Sequence, residues 1–282
     1  MEKPMWLVET GIFDDEFYAK FKKTAEDNGI ECELTGQPYT YVFKYQYTKF
    51  TYPNRSIFYG SVNTAIALGL GRNREIDCGV FYNKENLSWG TYAAYWFDYL
   101  LNKDSIIVTL ADLLNRYDEY ADLVSREVDG TTSFFIRPFH NDKSFNGVLL
   151  LRDFGDGTIE KILTDDGYYA NVEPDTLAVI SSPKKIQNEW RFFIAGRKVI
   201  ASTQYAKEGQ PHYKEGCNST DAYALVDKIV RDDWQPDFAY SVDICESDGK
   251  AYVLELGCIN CSDLYDANVK DFITKLSKAR DA

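Results

Sequence analysis

Histidine is nearly missing from this chain: His140 and His212 are the two in 282 residues. Their scarcity argues against a metal site built on imidazole. Long apolar runs are missing as well. None approaches the ~18–20 residues that a helix needs to cross a bilayer. The opening "MEKPMWLVET" lacks the charged-then-apolar order of a secretory signal, so action in the cytoplasm is expected. Positive charge is in deficit, with 31 Lys and Arg against 44 Asp and Glu and a net charge of −13 at pH 7. That balance disfavours non-specific attraction to nucleic acid or an anionic membrane, yet permits a local basic cleft. The six cysteines show no regular spacing, which fits reduced thiols rather than a disulfide framework. Cys258 and Cys261 form a CxxC without a second pair at zinc-ribbon spacing, so small semi-buried thiols are the favoured reading.

What remains is the composition of an ordinary globular protein, 45% hydrophobic and 27% charged. The first third reads as a small α/β lobe. "WLV" is a short strand, and "FDDEFYAKFKKTAEDNG" is a helix with Phe13, Phe17 and Phe21 at four-residue steps and Gly29 at its end. Strands at "IECEL", "SIFYG" and "DCGVFYN" and a small-residue helix near "NTAIAL" complete the pattern. Trp89, Tyr92, Tyr95, Trp96 and Tyr99 recur at helical spacing. They fit a ligand-stacking surface or a core face, and the core face is favoured because amphipathic helices need such a stripe. The second half has long β-rich segments with turn signals at Gly196 and Asp248-Gly249, which imply antiparallel hairpins. A helix near "DAYALVDKIVRDDW" and a C-terminal one carrying Val269, Phe272, Ile273 and Leu276 are expected against them. The polar stretch 206–220, with Gly209 and Gly216, suits a mobile lid and an ordinary surface loop equally.

Charged residues inside these apolar strands carry the chemistry. Asp243 lies in "YSVDIC" and Glu255 in "YVLELG", where a carboxylate is costly unless paired or bound to a cation. With Asn260 shortly after, they form an oxygen-rich set suited to Mg²⁺, which usually also takes phosphate oxygens. Arg137 and Lys143 in "FFIRPFHNDKSFNG", and Arg191 in "NEWRFFI", then supply cations for a nucleotide's phosphates.

In their order, "FIRP…KSFNG", "VISSPKKIQNEWRFFIAGRKVIASTQY" and "VDICESDGKAYVLELGCINCSDLY" resemble the ATP-grasp superfamily. The similarity is to its arginine-for-lysine clade, common in bacteriophages and bacteria. "SIFYGSVNTA" and "CGVFYNKENLSWGTYAAYWFDYLLN" are similar to that group's leading region. The resemblance implies an α/β lobe over 1–85 and an ATP-grasp region over 86–282, its subdomains meeting near 175–176 and enclosing a nucleotide cleft in an α+β architecture. It implies an ATP- and Mg²⁺-dependent ligase that joins a carboxylate to an amine through an acyl phosphate, acting on an amino acid, peptide or protein. A phosphotransferase and a non-catalytic nucleotide-binding module are the alternatives. Nucleic acid and membrane are not expected as partners, and the oligomeric state stays open.

By the same resemblance Arg137 and Lys143 hold ATP phosphates, and Gly147 makes a short turn that lets backbone approach them. Ser182, Lys184 and Ile186 belong to the hinge that lines adenine, and Glu189 lies near the ribose or the hinge. Arg191 stabilises the transferring phosphoryl group, and Asp243, Glu255 and Asn260 ligate the metal. One departure stands out: many relatives have asparagine two residues after the second acid, where this chain has Gly257, so the role passes to Asn260. There is also a geometric condition. A two-residue turn at Asp248-Gly249, which this dipeptide favours, sets Asp243 opposite Leu254 and sends Glu255 to the other face. A shared cation therefore demands an odd loop or a β-bulge in that hairpin.

Overall fold

The computed structural model describes residues 5–36, 56–70, 79–164 and 172–280. The tyrosine-rich stretch between the second and third strands lies outside them. At the N-terminus β1 (Met5–Glu9) lies between β2 (Glu31–Thr35) and β3 (Ser56–Tyr59), parallel to both. The helix Asp15–Asp27 connects β1 to β2. It starts where Asp14 accepts a hydrogen bond from the Phe17 backbone N–H at 2.7 Å, and Gly29 leaves it at φ +75°. Its Phe21 is fully buried against Trp6 and Tyr59, while Phe13 and Phe17 pack at the margin. Of the strand expected at "DCGVFYN", residues 77–78 lie outside the described residues. Gly79–Asn83 form no strand; the Gly79 carbonyl and the Phe81 N–H bond to the Asn260 side chain.

The second sheet contains β4 (Ile106–Thr109), β5 (Arg126–Val128), β6 (Thr131–Pro138), β7 (Val148–Leu151) and β8 (Leu177–Ser181), all antiparallel. β8 pairs with both β4 and β6 and so completes the second sheet. Its apolar run fills the core beneath β6 with Ala178 and Ile180.

The third sheet runs β11-β10-β9-β12-β13: β9 (Asn188–Ala195), β10 (Lys198–Lys207), β11 (Gln210–Glu215), β12 (Ala239–Ser247) and β13 (Lys250–Cys258). Three two-residue turns close its hairpins: Gly196-Arg197, Glu208-Gly209 and Asp248-Gly249. All six residues have positive φ between 51° and 72°, the backbone a type I′ turn requires. The stretch 206–220 is thus not a plain loop. It carries the end of β10 and the edge strand β11, exposed at all six positions.

Side-chain alternation gives this sheet two faces. Trp190, Phe192 and Ile194 with Tyr240, Val242 and Ile244 form an apolar face, covered by the helices Trp89–Trp96 and Thr220–Arg231. The aromatic stripe is mainly core: Tyr92 and Trp96 are buried there, and Tyr95 stacks on Trp234 with centroids 4.4 Å apart. At roughly 1.5–3 kcal/mol per large apolar side chain, this layer anchors the sheet. On the opposite face Phe193 meets Phe272 of the C-terminal helix Val269–Arg280 and joins the N-terminal lobe's core. Two residues earlier on that face the chain places Arg191, and the surface turns from apolar to charged.

Candidate active site

The β12–β13 hairpin meets both requirements set by its sequence. Its turn is the two-residue Asp248-Gly249, with Ser247 opposite Lys250. The ladder stays regular to Ile244 opposite Val253, and the next pair is Asp243 opposite Glu255. Leu254 is the extra residue of a β-bulge. Skipping it restores the alternation: Ile244, Val253, Val242 and Leu256 belong to the apolar core, and Asp243 and Glu255 share the other face.

Each carboxylate is matched by an arginine. Arg191 stands opposite Asp243 across β9 and β12 and donates twice to it, from Nε to Oδ1 and from Nη2 to Oδ2, both at 2.8 Å. Arg137, at the end of β6, reaches across from the other sheet. Its Nη2 lies 3.0 Å from Glu255 Oε1, and its Nη1 donates to the carbonyl of the bulged Leu254 at 3.3 Å. Burial alone would raise the Glu255 pKa, but Arg137, Lys143 and Arg191 outweigh it and hold the carboxyl below the ordinary glutamate range. Glu189, on the same face of β9, goes the other way: burial and the nearby Asp243 push it up, against the hydrogen bond from Tyr205.

A cleft of about 450 Å³ opens between the two antiparallel sheets. Arg137, Lys143, Gly147, Ser182, Lys184, Ile186, Glu189 and Glu255 all contribute to its wall. Residues 182–187 cross from β8 to β9 along one side, where the hinge is expected. Lys184 is held by Asp104, with Nζ 2.8 Å from Oδ1, and the same carboxylate accepts a hydrogen bond from the Ser182 hydroxyl. Burial raises the Asp104 pKa, but the bonds from Lys184 and Ser182 prevail and lower it. Lys143 adopts a left-handed backbone at φ +58° in the loop that follows β6. Gly147 has no such φ. A Cβ there would come within 2.8 Å of the Phe135 ring, so a larger residue would have to displace that ring on β6.

Asn260 is not brought to the carboxylates. It is 1% exposed, and its amide is fully committed: Nδ2 donates to the Phe58 carbonyl at 2.5 Å and to the Gly79 carbonyl at 2.9 Å, and Oδ1 accepts from Phe81 N–H at 2.7 Å. It ties the strand end to the N-terminal lobe, because the short 3-10 turn Ile259–Cys261 directs it away from the hairpin. At Gly257 a Cβ would lie 2.6 Å from Ser241 Oγ, so a larger residue there would have to displace that hydroxyl. Ser241 and Ser262, hydrogen-bonded at 2.6 Å, fill that position. Cys258 and Cys261 are free thiols with sulfurs 3.6 Å apart.

Asp243 and Glu255 fit a hard divalent cation by donor chemistry, as two carboxylates facing one another in register. Among the described residues no third His, Cys, Asp or Glu completes a cluster with them. That leaves positions for water and phosphate oxygens, the usual complement of Mg²⁺.

Three contributors escape a reading of the sequence. Asn141 donates to Glu255 Oε1 at 3.3 Å and the Leu256 carbonyl at 3.0 Å, and accepts from Cys258 N–H at 3.2 Å. Its one signal is its place between Arg137 and Lys143. Asp104 is 78 positions from the Ser182 it holds, with no local pattern to mark it. Tyr205 donates to Glu189 Oε2 at 2.8 Å and lies 3.4 Å from Asp243 Oδ2, yet reads as one more strand aromatic.

No curated protein matches the chain in sequence. Solved structures match its fold over nearly full length at low identity. A RimK domain protein ATP-grasp from Sphaerobacter thermophilus aligns at TM-score 0.57 and 10% identity, over 97% of this chain and 99% of that one. D-alanine–D-alanine ligase from Bacillus anthracis aligns at TM-score 0.56 and 13% identity, over 98% of each chain. The ATP-grasp ligase PsnB, complexed with a phosphomimetic variant of its minimal precursor, Mg and ADP, aligns at TM-score 0.55 and 11% identity over 100% of both. The fold, two antiparallel sheets around a cleft behind an N-terminal α/β lobe, is that of these ATP-grasp proteins. The model of the ATP-grasp domain, family 3 of its clade, matches residues 89–276, two thirds of the chain and all of the cleft, and the chain belongs to that family.

Proposed function

We propose that this protein is an ATP- and Mg²⁺-dependent ligase that joins a carboxylate to an amine through an acyl phosphate, with an amino acid or peptide as substrate. The observation that carries the reading is that Arg137 and Lys143 line one cleft with Glu255, and that Asp243, opposite Glu255 on the neighbouring strand, is paired with Arg191. Arg137 and Lys143 hold the phosphates, while Ser182, Lys184 and Ile186 border the base and Glu189 the ribose. Asp243 and Glu255 hold Mg²⁺, which when bound neutralises phosphate charge that two acids would otherwise repel.

The substrate carboxylate attacks the γ-phosphorus. A carboxylate O–P bond forms, the bridging β–γ P–O bond breaks, and ADP departs. Arg191, beside this centre, stabilises the charge on the transferring group. The amine then attacks the acyl carbon, the bond to phosphate breaks, and the nitrogen loses a proton. Positioning and electrostatics suffice, and no side chain need become a nucleophile. The reaction belongs in a cytoplasm, whether that of a bacterium or of a phage-infected host.

The test is ADP release in the presence of amino acids and short peptides, with products followed by mass. The reading expects release that depends on both a carboxylate and an amine, and a product lighter by one water than its two substrates together. Phosphate transfer with no amine requirement would replace it with a phosphotransferase. Nucleotide binding without turnover for any acceptor would make the protein a binding module.

A further inference from the structure

The cleft contains a second β-bulge, whose product is a hydroxyl between two carboxylates. In β10, Gln204 is opposite Trp190 and Ala206 is opposite Glu189, so Tyr205 is the residue left over. The ladder with β11 is irregular at the same place. An extra residue of this kind re-aims its side chain. Here it turns Tyr205 onto the charged face, where its hydroxyl donates to Glu189 at 2.8 Å and lies 3.4 Å from Asp243.

The ring has a second contact. The Arg191 guanidinium lies 5.6 Å from the Tyr205 centroid and 5.3 Å from that of Tyr265, and the two rings stack at 5.2 Å. Tyr213 of the edge strand stacks on Tyr265 in turn, at 5.3 Å. Tyr265 keeps its place in this stack on a left-handed backbone at φ +46°, a conformation that a bulky side chain adopts only when its surroundings impose it. These contacts bear on one difficulty. Each Asp243 oxygen accepts from Arg191, and a cation at that carboxylate would stand beside the guanidinium's positive charge, so metal binding favours a shift of the guanidinium off at least one oxygen.

We propose that Tyr205 is a positioning residue of this site: its hydroxyl fixes Asp243 relative to Glu189, and its ring, with that of Tyr265, receives the Arg191 guanidinium as it releases Asp243. The inference rests on the reading of Asp243 as a Mg²⁺ ligand. It adds a requirement that the fold's cations and acids do not themselves contain, namely an aromatic berth for the arginine.

Calorimetric titration of a non-hydrolysable ATP analogue, with and without Mg²⁺, tests it on the full chain. Wild type should bind more tightly with Mg²⁺. Tyr205→Phe, which keeps the ring, should bind the metal-free analogue within about twofold of wild type and lose roughly five- to tenfold of the Mg²⁺-dependent gain. Tyr205→Leu, which loses ring and hydroxyl, should lose more of that gain. Melting curves identify any variant whose loss comes from unfolding. Equal Mg²⁺ gains in wild type and both folded variants would overturn the role of Tyr205 and leave the metal reading standing. The role of Tyr205 falls in the same way if metal-free and metal-dependent binding weaken together, as a merely structural residue would produce. A wild type with no Mg²⁺-dependent gain would remove the metal reading and this inference with it.

Discussion

Arg191 and Asp243 stand directly opposite on adjacent strands of one sheet, whereas Arg137 and Glu255 come from different sheets and meet across the cleft. The first pair is bidentate, and its side chains are 15% and 8% exposed. In the second, Arg137 is 12% exposed but Glu255 is 36%, and a single Arg137 nitrogen lies close to its carboxylate. Sheet register thus fixes one pair, while the packing of two sheets fixes the other. The first belongs to the platform that carries the apolar core on its reverse face. The second can part without disturbing a ladder, which suits the proposed exchange of carboxylate for phosphate at Arg137 when nucleotide enters.

Asp243→Asn and Glu255→Gln separate the two most sharply. On the proposed reading both remove a metal-ligand charge, and both should reduce ATP turnover to background. Their costs in stability should differ. Asp243→Asn leaves Arg191 buried without its counter-charge, a loss of about 3–5 kcal/mol for a buried pair. Glu255 is itself 36% exposed, against 8% for Asp243, and takes one Arg137 nitrogen instead of two, so Glu255→Gln should cost less, on the order of 1–3 kcal/mol. Denaturant unfolding of both variants measures this. Equal losses would mean that the cross-cleft pair is as much a part of the platform as the intrasheet one.

Removing the arginines sharpens the same contrast kinetically. Arg191→Ala should mainly lower kcat, by roughly 10²–10³-fold if it stabilises the transferring group. Arg137→Ala should mainly raise KM for ATP, on the order of tenfold, because it acts on ground-state phosphates. Steady-state assays at saturating Mg²⁺ distinguish these, and the opposite pattern would exchange the two roles.

How much of this is legible in the sequence follows the range of each interaction. Arg137, Arg191, Asp243 and Glu255 announce themselves because a charge inside a β pattern is costly, and costly residues need a partner. The type I′ turn at Asp248-Gly249 is local chemistry, so it too is readable. Leu254 is different: the opposed carboxylates require some shift of register, but nothing in "YVLELG" marks which residue bulges. Asn260 shows the limit from the other direction. Proximity in sequence suggests a ligand, yet its amide closes three backbone bonds to segments about 180–200 positions away.

A smaller effect concerns pH. Glu255 has a folded-state pKa below its ordinary value, so its ionised form contributes stability above the unfolded pKa, and that contribution is lost as pH falls through the depressed folded value. The stability gap between wild type and Glu255→Gln should therefore be full at neutral pH and narrow below about pH 4.3, the unperturbed value for glutamate. Unfolding curves at several pH values test the sign. A gap that widens on acidification would place the carboxylate's favourable contacts elsewhere.

The mildest prediction isolates the bulge. Deleting Leu254 takes nothing from the alternation on either side, since Ile244 already pairs with Val253 and Asp243 with Glu255. The hairpin should close into a regular ladder with the two carboxylates still opposed, and Mg²⁺-dependent nucleotide binding should persist. What disappears is the carbonyl that accepts from Arg137 Nη1. An arginine with one fewer fixed contact spends less time aimed at the phosphates, so nucleotide affinity should fall by less than the roughly tenfold expected of Arg137→Ala, near 1.4 kcal/mol at most. Calorimetry on the deletion variant, beside Arg137→Ala and Asp243→Asn, ranks the three. If the deletion removes the Mg²⁺-dependent gain as completely as Asp243→Asn does, the bulge itself sets the geometry of the carboxylate pair, and Leu254 is not the dispensable residue of the hairpin but its most consequential one.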